Sequence, residues 1–391
     1  MAGSYIVAGA RTPIGKMSGA LASFSAADLG GLAIAGALQR AGVAPSEVDH
    51  VIMGQVLMAG QGQVPSRQAA VKAGIPMSVP AVNVNKVCLS GLNAIYLADQ
   101  MIQAGDADIV IAGGMESMTN APYLASGARG GFRYGNTELK DAIIADGLWC
   151  AFDACLMGLG TERYAAGGIT RQQQDDLAMK SNQRAAAAAD KLAEEIVPVS
   201  IPQRKGDPVV VSRDEGVRAD TTMDTLGGLK PAFDKEGTIT AANASQISDG
   251  GSAVVVMSER AVKARGVSPL GQIVSYGMVA GPDSASLLTQ PSRAILKALD
   301  KVGMKVGDVN LFELNEAFAA VGIASMADLG ISDDIVNVNG GAIALGHPIG
   351  MSGNRLALTI LHELKRRGGG VGAAALCGGG GQGDALIVRT V

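Results

Sequence analysis

The chain has 391 residues, of which 48% are hydrophobic, 17% are charged and 54 are glycines. Its net charge of −4 gives no overall attraction to nucleic acid or to an anionic membrane, and its four cysteines are too few for the framework of a small disulfide-rich domain. We therefore expect a compact α/β enzyme of two or three domains, with reduced thiols, in the cytoplasm and without a nucleic-acid or membrane partner.

The first part of the chain alternates short apolar strands with helices. The pattern predicts strands at 5–8, 51–53, 81–85 and 108–112. It also predicts a helix over 26–41 that stops at Gly42. Helices between apolar strands are typical of a parallel βαβ sheet that is covered on both faces.

The alternation breaks between about residue 117 and residue 248. A glycine-rich run at 127–135 predicts a loop, and a long helix is predicted over 170–195. Thr170 and Gln173 have the spacing of a capping box at the start of that helix. We expect this region to be an inserted domain.

Strands and helices return in the last part of the chain. Strands are predicted at 253–257, 272–274 and 309–314, and helices over 292–302 and 315–329. The expected domains are an N-terminal half (1–117 with 249–268), an inserted domain (118–248) and a C-terminal half (269–391). Both halves are expected to be doubly wound α/β units.

Two segments of the chain repeat each other and carry reactive side chains. The first reads Asn-Val-Asn at 83–85 followed by Cys88-Leu89-Ser90-Gly91, and the second reads Asn-Val-Asn at 337–339 followed by Ser352-Gly353. The second copy ends in Cys377, and its extra residues include His347. A duplication would place both thiols and the imidazole at the same edge of two similar halves, where one cleft could collect them.

Each of these residues also has a plainer structural explanation. Cys88 lies between a strand and a helix, where free N–H groups favour a thiolate, but a small buried Cys would fit there too. The glycines at 378–381 after Cys377 suit an oxyanion hole or an ordinary turn. His347 lies in a glycine-flanked loop and is a candidate for acid–base chemistry, whereas Asn315 could simply cap a helix.

The remaining cysteines, Cys150 and Cys155, lack the clustered partners of a zinc site. We expect them to be apolar fillers and expect no metal site.

Six motifs, in order along the chain, resemble the thiolase family, and within it most closely the acetyl-CoA acetyltransferases. The motifs are Arg11-Thr12-Pro13-Ile14-Gly15, Cys88-Leu89-Ser90-Gly91, the run 113–118, Asn315-Glu316-Ala317-Phe318, the run 340–348 and Cys377-Gly378-Gly379-Gly380. The resemblance covers nearly the whole chain. It implies a layered αβαβα fold of duplicated halves with an inserted loop domain.

The resemblance also implies a reaction, the reversible Claisen condensation of two acetyl-CoA to acetoacetyl-CoA and coenzyme A. Cys88 would carry the acetyl group, and His347 would take the proton of its thiol. Cys377 would remove an α-proton from the second acetyl-CoA, while His347 and a water held by Asn315 stabilise the enolate. The N–H groups of Cys88 and Gly379 would receive the tetrahedral oxyanion.

By the same resemblance, the inserted region binds coenzyme A, which is substrate and product and not a permanently bound cofactor. The implied contacts are Arg218, Ser245, Leu148, Met157, Phe233, Ala241 and Phe318. The run 127–135 is similar to the loop that joins two dimers in this family, which implies a homotetramer.

Two departures from the family pattern bear on the acyl chain. Relatives often carry a His at the position of Leu156, and the stretch 281–288 differs from a Met-Gly-rich wall that excludes longer acyl groups. A broad-range 3-ketoacyl-CoA thiolase of fatty-acid degradation is therefore the first alternative. A non-catalytic acyl-CoA binding or lipid-transfer protein is the second, and it would be expected to lack Cys88, His347 or Cys377.

Overall fold

The computed structural model describes residues 3–283 and 286–391. The N-terminal half contains five main strands, which pair in the order β3-β2-β4-β5-β1. Their bounds are β1 Ser4–Arg11, β2 His50–Gly54, β3 Ala81–Val84, β4 Ile109–Ser117 and β5 Ser248–Ser258.

Three helices accompany these strands, namely α1 Ala26–Ala41, α2 Pro65–Lys72 and α3 Ser90–Ala104. The predicted bounds of α1 are confirmed. It starts at a capping box of Ser25 with Asp28 and ends at Gly42, which has a left-handed φ of 61°. Local signals at both ends therefore mark where the helix begins and ends.

The expectation of a parallel sheet is correct for only part of this half. Strand β2 pairs in parallel with β3 and β4, as the βαβ pattern predicts. Strand β5 instead runs antiparallel to both β1 and β4. A continuous apolar run shows that both faces of a strand are buried, but it does not encode the strand's direction.

The region between β4 and β5 contains four helices, namely α4 Met157–Ala165, α5 Arg171–Ala187, α6 Ala189–Ala193 and α7 Met223–Gly227. Three small antiparallel pairs join Tyr123–Leu124 to Lys140–Asp141, Trp149–Cys150 to Cys155–Leu156, and Val199–Ile201 to Val209–Val211. A π-helical turn spans Ile143–Leu148.

The predicted capping box at Thr170 and Gln173 is confirmed, but the single helix over 170–195 is wrong. The helix breaks at Ala188, whose φ and ψ are −95° and 10°. Ala188 is buried in an apolar cluster with Leu192 and Leu345. Tertiary packing has therefore overridden the helix propensity of the alanine run.

The C-terminal half begins after α8 Glu259–Arg265. Its strands pair in the order β7-β8-β9-β6. They are β6 Gly271–Ala280, β7 Leu311–Leu314, β8 Val371–Gly378 and β9 Gln382–Arg389. Its helices are α9 Gln290–Asp300, α10 Ala319–Leu329, α11 Ala342–Leu345 and α12 Ser352–Arg366.

The two halves have the same strand order. In the second half, the counterpart of β3 is reduced to one bridge between Val336 and Phe312 at the edge of β7. Strands β1 and β6 pair antiparallel through Tyr5 with Gln272 and Ile6 with Gly271, and so join the halves into one sheet.

Helices α3 and α12 form the central layer of the molecule. They contact each other and strands of both halves, while α1 and α2 cover the outer face of one half and α9 and α10 that of the other. The layered αβαβα arrangement is thereby confirmed. Burying one Leu side chain in such a core contributes roughly 1.5–3 kcal/mol to folding. Among the described residues, none of the helices combines the length and apolarity that a membrane span requires.

Candidate active site

The two central helices start next to each other. Each begins with Ser-Gly, at Ser90 in α3 and at Ser352 in α12. A Cβ atom on Gly353 would lie 2.5 Å from the backbone nitrogen of Leu92, so only glycine permits this approach. The positive ends of two helix dipoles therefore meet at one buried centre.

A strained turn presents Cys88 at this centre. Val87 has a left-handed φ of 50°, which is unusual for a β-branched residue. The Ser90 hydroxyl donates to the Val87 carbonyl at 2.6 Å and accepts from the Lys86 N–H at 2.8 Å. The Lys86 ammonium reaches Asp384 on β9 at 2.7 Å. This turn is thus tied to the strand beside the one that carries Cys377.

Cys88, Cys377 and Gly379 lie together. Burial raises the pKa of the Cys88 thiol, and the neighbouring Cys377 raises it further. Hydrogen bonds from the backbone N–H groups of Cys88 and Gly379 oppose that rise in the Cys88 pKa. Burial also raises the pKa of Cys377 to about 12. Both thiols are therefore protonated at neutral pH.

His347 follows α11 on a loop that requires glycine. Gly346 has a φ of 108°, and a Cβ atom there would lie 2.4 Å from the Ser248 hydroxyl oxygen. His347 is buried, and its backbone N–H donates to the Gln246 carbonyl at 3.1 Å. Burial, with the charge of Arg355, lowers the pKa of His347 to about 3. The imidazole is neutral at pH 7 and can accept a proton.

Hydrogen bonds around the ring indicate its tautomer. Nδ1 of His347 lies 2.6 Å from the Ser352 hydroxyl oxygen. The hydroxyl oxygen also lies 3.0 Å from the Pro348 carbonyl oxygen, and with its proton donated there it accepts from Nδ1–H. Nε2 is then the basic nitrogen, and the Asn315 amide donates to it at 3.3 Å.

Asn315 directly follows β7 and is completely buried. Its Oδ1 atom accepts no hydrogen bond from any protein group in the part of the chain described, which is rare for a buried amide oxygen. The plainer explanation of Asn315 as a helix cap is wrong, because α10 begins at Ala319 with Phe318 in the capping position. The backbone of Phe318 instead bridges to Ala244 and keeps 315–318 out of the helix.

Two buried side chains, Asn337 and Glu316, hold Asn315 and the His347 loop in place, and the sequence had given neither of them a role. Asn337 accepts from the Leu314 N–H at 2.9 Å and donates to the Leu314 carbonyl at 2.8 Å. It also donates to Glu316 at 2.8 Å, and Glu316 accepts from the Ile343 N–H in α11 at 3.1 Å. The Asn of the second repeat was visible in the sequence, but its partners were not.

Glu116, within the motif at 113–118, braces the other side of the loop. Its carboxylate accepts from the N–H groups of Val56 at 3.0 Å, Leu57 at 3.1 Å and Gly350 at 3.0 Å. Burial raises the pKa of Glu116 to about 7, although these three donors lower it.

A cleft of about 600 Å³ leads from the surface to His347. Six of the seven expected coenzyme A contacts line it, namely Leu148, Arg218, Phe233, Ala241, Ser245 and Phe318. Cys88, Cys377 and Asn315 are buried and do not belong to the lining. The lining residues that sequence reasoning missed include Lys16, Met17, Met118, Ile144, Gln246, Ile247 and Ile349, which have no shared sequence signal.

Met157, the seventh expected contact, lies elsewhere. It packs in an apolar cluster with Cys377, Leu287, Leu288 and Val321. Within the stretch 281–288, the residues at 284 and 285 lie outside the described residues, so only the rest of that expected wall can be placed.

Cys150 and Cys155 are buried free thiols, and they face each other across the hairpin of Trp149–Cys150 with Cys155–Leu156. In residues 3–283 and 286–391, no group of three or more His, Cys, Asp or Glu side chains is arranged to hold a metal ion.

Comparisons with known proteins agree on one family. Residues 4–260 match the N-terminal domain of thiolase and residues 267–390 match its C-terminal domain. A probable acetyl-CoA acetyltransferase of Mycobacterium leprae is 56% identical over 394 residues, covering all of both chains. Acetyl-CoA acetyltransferases of Cupriavidus necator and Pseudomonas aeruginosa are 53% and 49% identical, each covering 98% of both chains.

Proposed function

Because the chain belongs to the thiolase family, we propose that its two buried thiols divide the reaction, with Cys88 as nucleophile and Cys377 as acid–base. The enzyme is an acyltransferase. Its activity is that of the acetyl-CoA acetyltransferases, which is the reversible condensation of two acetyl-CoA to acetoacetyl-CoA and coenzyme A. The observation that carries the proposal is that the two buried thiols share one site, since Val87 and Leu89, on either side of Cys88, lie against Gly379 and Gly378, which follow Cys377.

The first half-reaction forms a thioester on Cys88. Nε2 of His347 accepts the Cys88 proton as the sulfur attacks the carbonyl carbon of acetyl-CoA. The imidazolium that results can donate from both nitrogens, since Ser352 already accepts from Nδ1. Coenzyme A leaves as its thiolate and takes a proton from Cys377. The acetyl group then remains on Cys88, and Cys377 is ready as a base.

The second half-reaction forms the carbon–carbon bond. The Cys377 thiolate removes an α-proton from a second acetyl-CoA, and the enolate carbon attacks the acetyl-Cys88 carbonyl. We assign the enolate oxygen to His347 and to a water bound by Asn315, whose Oδ1 has no partner among the described protein groups. The tetrahedral oxyanion then receives hydrogen bonds from the backbone N–H groups of Cys88 and Gly379, and the Cys88 thiolate leaves and takes its proton back from His347.

Coenzyme A is proposed to bind in the 600 Å³ cleft as substrate and product. Arg218 would contact the nucleotide end and Ser245 the pantetheine, while the rings of Phe233 and Phe318, 6.0 Å apart and edge to face, form an apolar wall. His347 and Cys377 carry every proton transfer of the proposed reaction, which therefore requires no permanently bound cofactor.

The acyl group is proposed to be short. Met157, Leu287, Leu288 and Val321 pack in one buried apolar cluster with Cys377, and we infer that these side chains restrict the length of an acyl group bound there. This packing disfavours the broad-range 3-ketoacyl-CoA thiolase. A series of kcat/KM values for thiolysis of substrates with increasing chain length tests it, because comparable values for long chains would favour that alternative.

Assembly, location and domain division are also proposals. Phe132 and Leu139, on the segment around 127–135, are 53% and 61% exposed, which suits a surface that a second dimer covers in a homotetramer. The four free cysteines suit the reducing cytoplasm. The region 118–248 is proposed to act as the coenzyme A domain between the halves 1–117 with 249–268 and 269–391.

Labelled acetyl-CoA provides the direct test of this proposal. The wild-type enzyme and the Cys88→Ala variant would be incubated with acetyl-CoA labelled in the acetyl group, digested and mapped. We expect label on the Cys88 peptide of the wild type and none in the variant. Label at another residue of the wild type, or equal labelling of both proteins, would refute the acetyl-Cys88 intermediate.

A further inference from the structure

One cation in the cleft has no role in the mechanism above. Lys16 lies on a two-residue strand, Gly15–Lys16, that pairs with the start of β5 through Lys16 and Ser248. The Glu215 carboxylate accepts from the backbone N–H of Lys16 at 3.0 Å and from that of Ala20 at 3.1 Å. The backbone of Lys16 is therefore held in place while its side chain is exposed.

Lys16 and Arg218 are the only lysine or arginine side chains that line the described cleft. They also lie on neighbouring backbone segments, because the Glu215 N–H donates to the Ile14 carbonyl at 3.0 Å. The Met17 N–H in turn donates to the Ile247 carbonyl at 3.1 Å, beside Ser245. The two cations are thus carried by neighbouring backbone segments of the cleft wall.

Neither cation is paired through its side chain. Within residues 3–283 and 286–391, the ammonium of Lys16 and the guanidinium of Arg218 form no ion pair or side-chain hydrogen bond. The chain as a whole carries a net charge of −4, so two unpaired cationic side chains at one cleft differ from the average charge of the protein. Such a local field attracts an anionic ligand and raises its concentration at the cleft.

We propose that Lys16 is a phosphate-binding residue that holds the nucleotide end of coenzyme A together with Arg218. This inference rests on the proposed function, which puts coenzyme A in the cleft. The thioester and pantetheine portions of the ligand are uncharged, so its phosphate groups are the matching partners. A lysine binds phosphate as a flexible point charge, and the short strand restricts where that charge can reach.

Steady-state kinetics with truncated thioesters test the assignment. Lys16→Ala, Lys16→Arg and the wild type would be compared with acetyl-CoA, acetyl-dephospho-CoA and S-acetylpantetheine. Lys365→Ala, at an exposed lysine on α12 outside the cleft, is the matched control. We expect Lys16→Ala to raise the KM for acetyl-CoA roughly five- to tenfold, as the loss of one charge-assisted contact implies.

S-acetylpantetheine has neither a nucleotide nor a phosphate group, so its KM should change less than about twofold in Lys16→Ala. Lys16→Arg should restore most of the affinity for acetyl-CoA. Added salt should raise the KM for acetyl-CoA more in the wild type than in Lys16→Ala. With acetyl-dephospho-CoA, a retained defect would assign Lys16 to the pyrophosphate and a lost defect to the 3′-phosphate.

An unchanged KM for acetyl-CoA, or an equal change for acetyl-CoA and S-acetylpantetheine, would overturn the role of Lys16. A failure of the proposed function itself is distinguishable, because it would show as a wild-type enzyme that is not acetylated on Cys88 by any of the three thioesters.

Discussion

Ser90 and Ser352 occupy matching positions at the starts of the two central helices, yet their hydroxyl groups do different things. The Ser90 hydroxyl bonds only to backbone groups, at Lys86 and Val87, and so holds the turn before Cys88. The Ser352 hydroxyl bonds to Nδ1 of His347 and to the Pro348 carbonyl. The first serine shapes a backbone turn, whereas the second orients a side chain.

The difference shows what the duplication supplies and what it leaves to the loops. Both halves provide the same strand order and a helix whose start faces the centre. The first half places a thiol in a short strained turn, while the second lengthens the corresponding connection and brings in His347. Repeated secondary structure thus fixes the frame, and the unmatched connections carry the chemistry.

The largest expected effect separates the two thiols. Cys377→Ser should still become acetylated on Cys88 but should lose condensation by about a thousandfold or more, because the base for the α-proton is gone. The acetyl-enzyme is measured by mass spectrometry and acetoacetyl-CoA by its absorbance. Cys88→Ser, the matched variant, should lose acetylation as well. Near-normal acetoacetyl-CoA synthesis by Cys377→Ser would refute the assigned base.

The two serines come next in size. Ser352→Ala should lower kcat about ten- to hundredfold, because the His347 ring loses the acceptor that fixes its tautomer. Ser90→Ala should instead lower the free energy of unfolding by about 1–3 kcal/mol, because the Lys86 N–H and the Val87 carbonyl lose their partner. Kinetics and denaturant unfolding on both variants check this. Equal loss of stability and activity in the two variants would contradict the division.

The contact between the helix starts predicts a smaller effect on stability. Gly353→Ala should destabilise the fold by about 1–3 kcal/mol, because its Cβ would overlap Leu92 in the first turn of α3. Gly307→Ala is the control, since a Cβ there would meet nothing within 4 Å. A Gly353→Ala protein that unfolds at the same denaturant concentration as the control would show that the helices can separate freely.

The smallest effect concerns pH. The pKa of His347 is lowered to about 3, so its basic form persists as the pH falls, and the pKa of Cys88 lies above the usual range. The rate of Cys88 acetylation should therefore change less than about threefold between about pH 5 and 8. Rapid-quench measurement of that half-reaction checks it. A tenfold loss per pH unit below about 6.5 would indicate a solvent-exposed histidine.

The sequence by itself determined the parts of this protein that depend on local signals. The bounds of α1 follow from its capping box and from Gly42, and the repeat around Cys88 and Ser352 identified the two halves and their reactive residues. Apolar periodicity located most strands to within a few residues. These features are readable because the periods of strands and helices and the preferences of capping residues act over short stretches of chain.

Only the tertiary structure decided the direction of β5, the break at Ala188 and the side-chain partners at the centre. Asn315 and His347, Lys86 and Asp384, and Glu116 and Gly350 are far apart in sequence, and nothing local encodes their contacts. The physical reason is that such pairs form when whole layers pack. A residue's burial, hydrogen bonds and pKa are then set by neighbours from other elements, and its role depends on them.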